Sequence, residues 1–150
     1  MMRSIDNLPV SAVLLGWAGV LPFAGMSLAL LLGFPSHGIR LEPMLVSYAA
    51  IILSFMGGIH WGLAMKSPDN CSFAGSSLHY VLSVIPALIG WAAVAIEAYA
   101  FAVLSVAFCT LLFLDMAWAS GRCAPAWYGR LRLQLTAAVL LCLGVAWSAA

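Results

Sequence analysis

The chain has 150 residues, of which 65% are hydrophobic and only 7% are charged, and its formal net charge is +1. Soluble proteins carry about 25% charged residues, so this composition excludes an ordinary soluble domain. The near-neutral charge also excludes a basic nucleic-acid-binding surface. The hydrophobic composition indicates that the lipid bilayer surrounds most of the chain.

The hydrophobic runs predict an all-α bundle of five transmembrane helices in a single domain. About 20 apolar residues cross a bilayer, and the run at 78–114 would form a helix about 55 Å long, which is nearly twice the hydrocarbon thickness. We therefore expect this run to turn back near Glu97. The predicted spans are at about 8–34, 44–65, 78–96, 98–119 and 130–148.

Basic residues predict the orientation, because Lys and Arg accumulate on the cytoplasmic side of a membrane. With five spans, Arg40 lies on one side and all the other basic residues lie opposite, at Arg3, Lys66, Arg122, Arg130 and Arg132. We therefore expect an inner-membrane protein with a cytoplasmic N-terminus and a periplasmic C-terminus. The first run is too long for the core of a signal peptide, which indicates a retained span.

Aromatic residues support this arrangement, since Trp and Tyr favour the membrane interfaces. Trp118, Trp127 and Tyr128 are predicted interface anchors at the cytoplasmic side. Gly57, Gly58 and Gly62 are predicted to let another helix approach the second span closely, as small residues do in membrane helices.

Two ionisable residues fall inside predicted spans, where charged groups are costly and mark candidate sites. His60, followed by Trp61, and Asp115 lie at a similar distance from the cytoplasmic ends of the second and fourth spans. Arg132, or alternatively Arg130, could reach them from the start of the fifth span. Such a cluster is either polar glue between helices or a ligand or proton site, and the sequence leaves both readings open.

No motif of a hydrolase, a nucleotide-binding enzyme or a metalloprotease is present, so we expect no catalytic activity. No Cys or His spacing predicts a metal site, and no cofactor is required, although a haem, a quinone or a pigment could use the His60 cluster.

Several motifs together resemble the uncharacterised bacterial family of domain of unknown function 3429, which is related to animal transmembrane protein sixty-nine. These are LGWAGVLPF at 15–23, ILSFMGGIHWG at 52–62, Pro86, the Gly90-Trp91 pair, Asp115, PAWY at 125–128 and LRL at 131–133. The animal relatives are assigned to mitochondria. The resemblance implies a small inner-membrane protein, and it maps His60, Trp61, Asp115, Trp127, Tyr128 and Arg132 onto family motifs without implying a reaction.

The leading functional hypothesis is a non-catalytic accessory or assembly subunit of a respiratory or photosynthetic membrane complex, with other membrane subunits as partners. The alternatives are a lipophilic-ligand or proton site at the His/Asp/Arg cluster and a small transporter.

Overall fold

The computed structural model describes residues 9–34, 38–66, 77–120 and 126–149. The helices are α1 (Val10–Leu31), α2 (Leu41–Lys66), α3 (Ser77–Ala95), α4 (Ala100–Ser120) and α5 (Ala126–Ala149), with a single 3-10 turn at Glu97–Tyr99 before α4. Every regular element in these ranges is helical, which confirms the predicted all-α class. Four described helices are long and apolar enough to cross a membrane, and the apolar part of α3, Tyr80–Ala95, is shorter.

The predicted break of the long third run lies at Ile96, whose backbone (φ −102°, ψ 53°) leaves the helical region between α3 and the 3-10 turn. Glu97 is the first residue of that turn and is exposed. The observed break lies one residue from the predicted position at Glu97. A continuous helix of this length would exceed the thickness of a bilayer.

Helix ends differ from the predicted spans for identifiable reasons. Helix α1 ends at Leu31 rather than at 34, because Gly33 (φ +61°) closes a Schellman motif in which the N–H of Phe34 donates to the carbonyl of Ala29 at 3.1 Å. Helix α2 starts at Leu41 rather than 44, since Pro43 lies in the first turn, where no N–H is needed. Helix α5 starts at Ala126 rather than 130, because helical structure extends past the apolar residues that hydropathy detects.

The helices form two closely packed pairs, α2 with α3 and α1 with α5, and α4 contacts α2, α3 and α5. Glycines make the closest approaches. A Cβ atom at Gly57 would overlap the carbonyl of Ser83 and lie 3.2 Å from the ring of Pro86. A Cβ atom at Gly90 would lie 3.0 Å from the carbonyl of Ala50. A Cβ at Gly16 would meet Leu135 at 2.8 Å.

Phe23 lies at the centre of the bundle and is fully buried. Its ring makes edge contacts with Tyr48 (5.0 Å between centroids) and Phe108 (6.4 Å), which join α1 to α2 and α4. The Tyr48 hydroxyl also donates to the carbonyl of Gly19 at 2.9 Å, beside Pro22, which interrupts the hydrogen bonding of α1. Phe23 and Phe108 also line the cavity described below.

Candidate functional site: a buried polar cluster beside an apolar cavity

Asp115 is the centre of a buried polar cluster formed by three helices. Its Oδ1 lies 2.8 Å from Nε2 of His60 on α2, and its Oδ2 accepts a hydrogen bond from Nε of Arg132 on α5. The residues are 0%, 5% and 4% exposed, respectively. They meet within about two turns of the C-terminal ends of α2 and α4 and of the N-terminal end of α5. Helix ends at one side of the bundle thus bring together residues that are far apart in sequence.

Tyr128 is a fourth member of this cluster. Its hydroxyl donates to Oδ1 of Asp115 at 3.0 Å, so the carboxylate contacts three polar side chains at once. The sequence assigned Tyr128 to the membrane interface, and its direct contact with Asp115 was not anticipated. Tyr128 and Arg132 are four residues apart and therefore lie on the same face of α5. This spacing could have indicated that both residues contact Asp115.

The other predicted site residues lie outside the cluster. Arg130 is exposed, since it lies two residues from Arg132 and therefore on another face of α5. Trp61 is 46% exposed and makes an edge contact with Tyr80, with 5.1 Å between ring centroids. The side chain of Trp118 lies outside the described part of the structure.

The three glycines of α2 separate into two groups. Gly57 contacts α3, whereas a Cβ atom at Gly58 or Gly62 would meet no described atom within 4 Å. Both of these positions are exposed on α2. The predicted close helix approach is therefore made at Gly57 in the described part of the chain. Gly90, which was named above as a motif residue but not as a packing position, makes a second close approach.

A cavity of about 500 Å³ adjoins the polar cluster, between α1, α2 and α5. Its walls are mainly apolar and include the aromatic side chains of Phe23, Phe55, Phe108 and Trp127. Leu15 and Phe55 also line it and are 73% and 65% exposed, so the cavity opens toward the outside of the bundle. Tyr128, Arg132 and Thr136 contribute its polar lining.

Two polar atoms at the cavity wall have no hydrogen-bond partner among the described residues. These are Nη2 of Arg132 and Oγ1 of Thr136, and both are buried. An unpaired buried hydroxyl costs about 1–3 kcal/mol, and an unpaired charged group costs more. Because native proteins satisfy most buried polar atoms, these two atoms are available to an acceptor from outside the described ranges.

The cluster and the cavity place buried hydrogen-bond donors beside a mainly apolar wall. Asp115 is already occupied by three donors, and no group of three or more His, Cys, Asp or Glu residues comes together in the described ranges. His60 directs Nε2 at the carboxylate, which leaves that nitrogen engaged rather than open to an axial metal bond.

Comparison with known proteins agrees with the motif resemblance. Transmembrane protein 69 of Xenopus tropicalis is 33% identical over 93 residues, which cover 61% of this chain and 35% of the relative. The chain thus matches only about a third of the length of that relative. No solved structure matches. The model of the family described as protein of unknown function (DUF3429) matches residues 8–148, so this multi-pass membrane protein belongs to that family.

Proposed function

We propose that the protein binds a lipophilic molecule in the cavity between α1, α2 and α5. The observation that carries this proposal is the guanidinium of Arg132, whose Nη2 is buried at the cavity wall without a partner among the described residues. A ligand that supplies an acceptor atom would remove the energetic cost of this unpaired donor.

Polar glue alone accounts poorly for the arrangement. If the cluster only joined helices, its donors and acceptors would be expected to balance within the bundle. Instead, His60, Tyr128 and Nε of Arg132 already surround one carboxylate, and further donors remain at the cavity wall. The surplus of donors lies where a ligand could reach it.

The size and lining of the cavity fit a lipophilic ligand. Small-molecule sites have volumes of about 300–1,000 Å³, and their walls are largely apolar with few polar groups. The cavity, at about 500 Å³, falls in this range, and its exposed lining residues Leu15 and Phe55 supply a route from the lipid phase. The proposal concerns binding and assigns no reaction to the protein.

Filling the cavity tests this function. Gly19 lines the cavity, and a side chain there would meet nothing within 4 Å at Cβ, so Gly19→Leu should occupy the space without distorting α1. Gly25→Leu is the matched control, because Gly25 also has open space and lies on α1 away from the cavity. Each protein is purified in mild detergent from its native membranes, and its bound small molecules are extracted and identified by mass spectrometry.

We expect one species to accompany the wild type and Gly25→Leu at near-equal molar amounts and to be depleted from Gly19→Leu. Unfolding midpoints of the three proteins establish that each is folded. Identical extracts from three folded proteins would contradict ligand binding in this cavity.

An accessory subunit is a second candidate function. Gly58 and Gly62 have small-xxx-small spacing on an exposed face of α2, which suits close contact with a helix of another protein. Gly62→Leu should then remove a stoichiometric membrane partner from the purified material, whereas Gly144→Leu on α5, also in open space, should retain it. A chain that purifies without any partner subunit would contradict this candidate.

We further propose that α3 also crosses the bilayer, which gives five spans in an inner membrane with the N-terminus in the cytoplasm. The support is the extensive packing of α3 along α2 and the distribution of basic residues. Arg132 is buried against Asp115, so it should no longer be counted as a charge at the membrane boundary. Without Arg132 the bias is smaller but keeps its direction, with Arg40 still opposed by Arg3, Lys66, Arg122 and Arg130.

Cysteine labelling tests this topology. In a background without the native cysteines, Glu97→Cys should react with a membrane-impermeant maleimide in intact cells. Ser67→Cys should react only after the membrane is disrupted. The reverse pattern would contradict the orientation, and equal labelling of both positions in intact cells would contradict a membrane crossing by α3.

A further inference from the structure

The polar residues of the cavity form a stripe along one face of α5. Tyr128, Arg132 and Thr136 follow each other at intervals of four residues, and all three line the cavity. Tyr128 and Nε of Arg132 contact Asp115. Deeper along the stripe, Nη2 of Arg132 and Oγ1 of Thr136 remain without a partner among the described residues.

The chemistry of these two groups restricts the ligand. A guanidinium nitrogen can only donate hydrogen bonds, and a Thr hydroxyl can donate one. A single oxygen with two lone pairs could accept from both, since side chains four residues apart are neighbours on a helix. A carbonyl oxygen has these properties and is common in lipid-soluble molecules.

The charge balance of the cluster favours an uncharged ligand. The positive charge of Arg132 is already compensated by Asp115, with which it forms a buried ion pair. An anionic ligand would bring a second negative charge into an apolar cavity, where an uncompensated charge is strongly unfavourable. A neutral acceptor completes the hydrogen bonding without changing the charge.

We propose that the cavity binds a neutral, lipid-soluble carbonyl compound whose oxygen accepts hydrogen bonds from Arg132 Nη2 and Thr136 Oγ1. This inference rests on the proposed function and specifies its ligand class. Two sources share the chemistry, a conjugated ring ketone such as a quinone and an ester carbonyl of a neutral glycerolipid. The aromatic walls formed by Phe23, Phe108 and Trp127 can contact either one.

Three probes with chains of equal length separate these possibilities: a decyl-substituted benzoquinone, didecanoylglycerol and decanoate. Apparent affinities are measured for purified protein at fixed detergent concentration from the rise of the unfolding midpoint with probe concentration. Thr136→Val removes the hydroxyl at nearly constant volume and leaves the Asp115–Arg132 pair intact. Thr110→Val is the matched control, because Thr110 is exposed on α4 and its hydroxyl donates to the carbonyl of Val106.

We expect at least one neutral carbonyl probe to bind more tightly than decanoate. Thr136→Val should weaken its affinity about two- to tenfold, the loss of one neutral hydrogen bond, and Thr110→Val should leave it unchanged. The probe whose affinity falls in Thr136→Val, the ring ketone or the ester, identifies which of the two sources supplies the ligand. Tighter binding of decanoate, or neutral probes that bind Thr136→Val as they bind the wild type, would overturn the inference.

The two proposals can fail separately. If Gly19→Leu depletes a native ligand while the carbonyl probes do not depend on Thr136, the cavity binds a molecule of another class, and only the inference is overturned. If neither the native extract nor any probe distinguishes Gly19→Leu from Gly25→Leu, the proposed function fails as well.

Discussion

The carboxylate of Asp115 on α4 and the guanidinium of Arg132 on α5 form an ion pair in which the residues are 0% and 4% exposed. Burial of two charges costs several kcal/mol per ion unless the pair and its hydrogen bonds compensate for the lost hydration. Here His60 and Tyr128 supply the additional bonds to the carboxylate. The pair therefore joins α4 to α5 and holds Arg132 at the cavity wall.

Substitution of Asp115 should destabilise the bundle more when the new side chain keeps fewer hydrogen-bond acceptor atoms. Asp115→Ala leaves Arg132 as an uncompensated buried charge, with an expected loss of about 3–5 kcal/mol in the free energy of unfolding. Asp115→Asn should cost at least about 1 kcal/mol less, because its amide oxygen still accepts a hydrogen bond. Unfolding in mixed micelles with increasing sodium dodecyl sulphate measures both values.

Phe113→Ala on the same helix provides the control, since Phe113 is 75% exposed on the outside of the bundle and should contribute little. Wild-type stability in both Asp115 variants would show that the cluster does not contribute to folding.

The two arginines of α5 should respond differently to the same substitution. Arg132→Gln leaves Asp115 as a buried, unpaired carboxylate and should cost about 3–5 kcal/mol. Arg130→Gln changes an exposed side chain and should cost about 0–1 kcal/mol. The same micelle unfolding assay compares them, and equal losses would refute the placement of Arg132 alone in the cluster.

Substitution by alanine should affect stability differently at the two adjacent glycines of α2, Gly57 and Gly58. Gly57→Ala places a methyl group against the carbonyl of Ser83 and the ring of Pro86, and we expect destabilisation of about 1–3 kcal/mol. Gly58→Ala meets open space and should be neutral or stabilise the helix by about 0.4–1 kcal/mol. Thermal unfolding of the purified variants gives the order, and a larger loss for Gly58→Ala would contradict the packing of α2 on α3.

Tyr128→Phe should remove one hydrogen bond to the Asp115 carboxylate and destabilise the protein by about 1.5–3 kcal/mol, the range for bonds to charged groups. Tyr99→Phe is the control, because Tyr99 is 68% exposed at the opposite end of α4. The difference in unfolding free energy between the two variants measures how much the hydroxyl of Tyr128 contributes to stability. A difference near zero would exclude its hydrogen bond to Asp115.

Much of the fold follows from the sequence because the bilayer limits the length of each helix. This limit predicted the break next to Glu97, which no turn motif marks, and it identified the apolar helices. The helix ends were predicted less accurately, since they depend on local features that hydropathy does not include. Examples are the positive φ of Gly33 at the end of α1 and the tolerance of Pro43 in the first turn of α2.

The site could be predicted only in part. Membrane depth predicted that His60, Asp115 and Arg132 lie at one level, but depth does not show which helices are neighbours. Tyr128, Arg132 and Thr136 are spaced four residues apart and therefore lie on one face of the helix, whereas Arg130 lies on another face. This spacing could have identified Arg132, rather than Arg130, as the arginine of the cluster. The cavity was not predictable, because it depends on how the side chains of α1, α2 and α5 pack around the open space at Gly19.

Native mass spectrometry of the protein released from mild detergent decides whether the cavity holds a ligand, because it reports the mass and the stoichiometry of anything bound. We expect a one-to-one complex with a small neutral molecule for the wild type and Gly25→Leu, and the bare chain for Gly19→Leu. A bare chain in all three proteins, or the same adducts on all three, would contradict a ligand in the cavity beside Arg132.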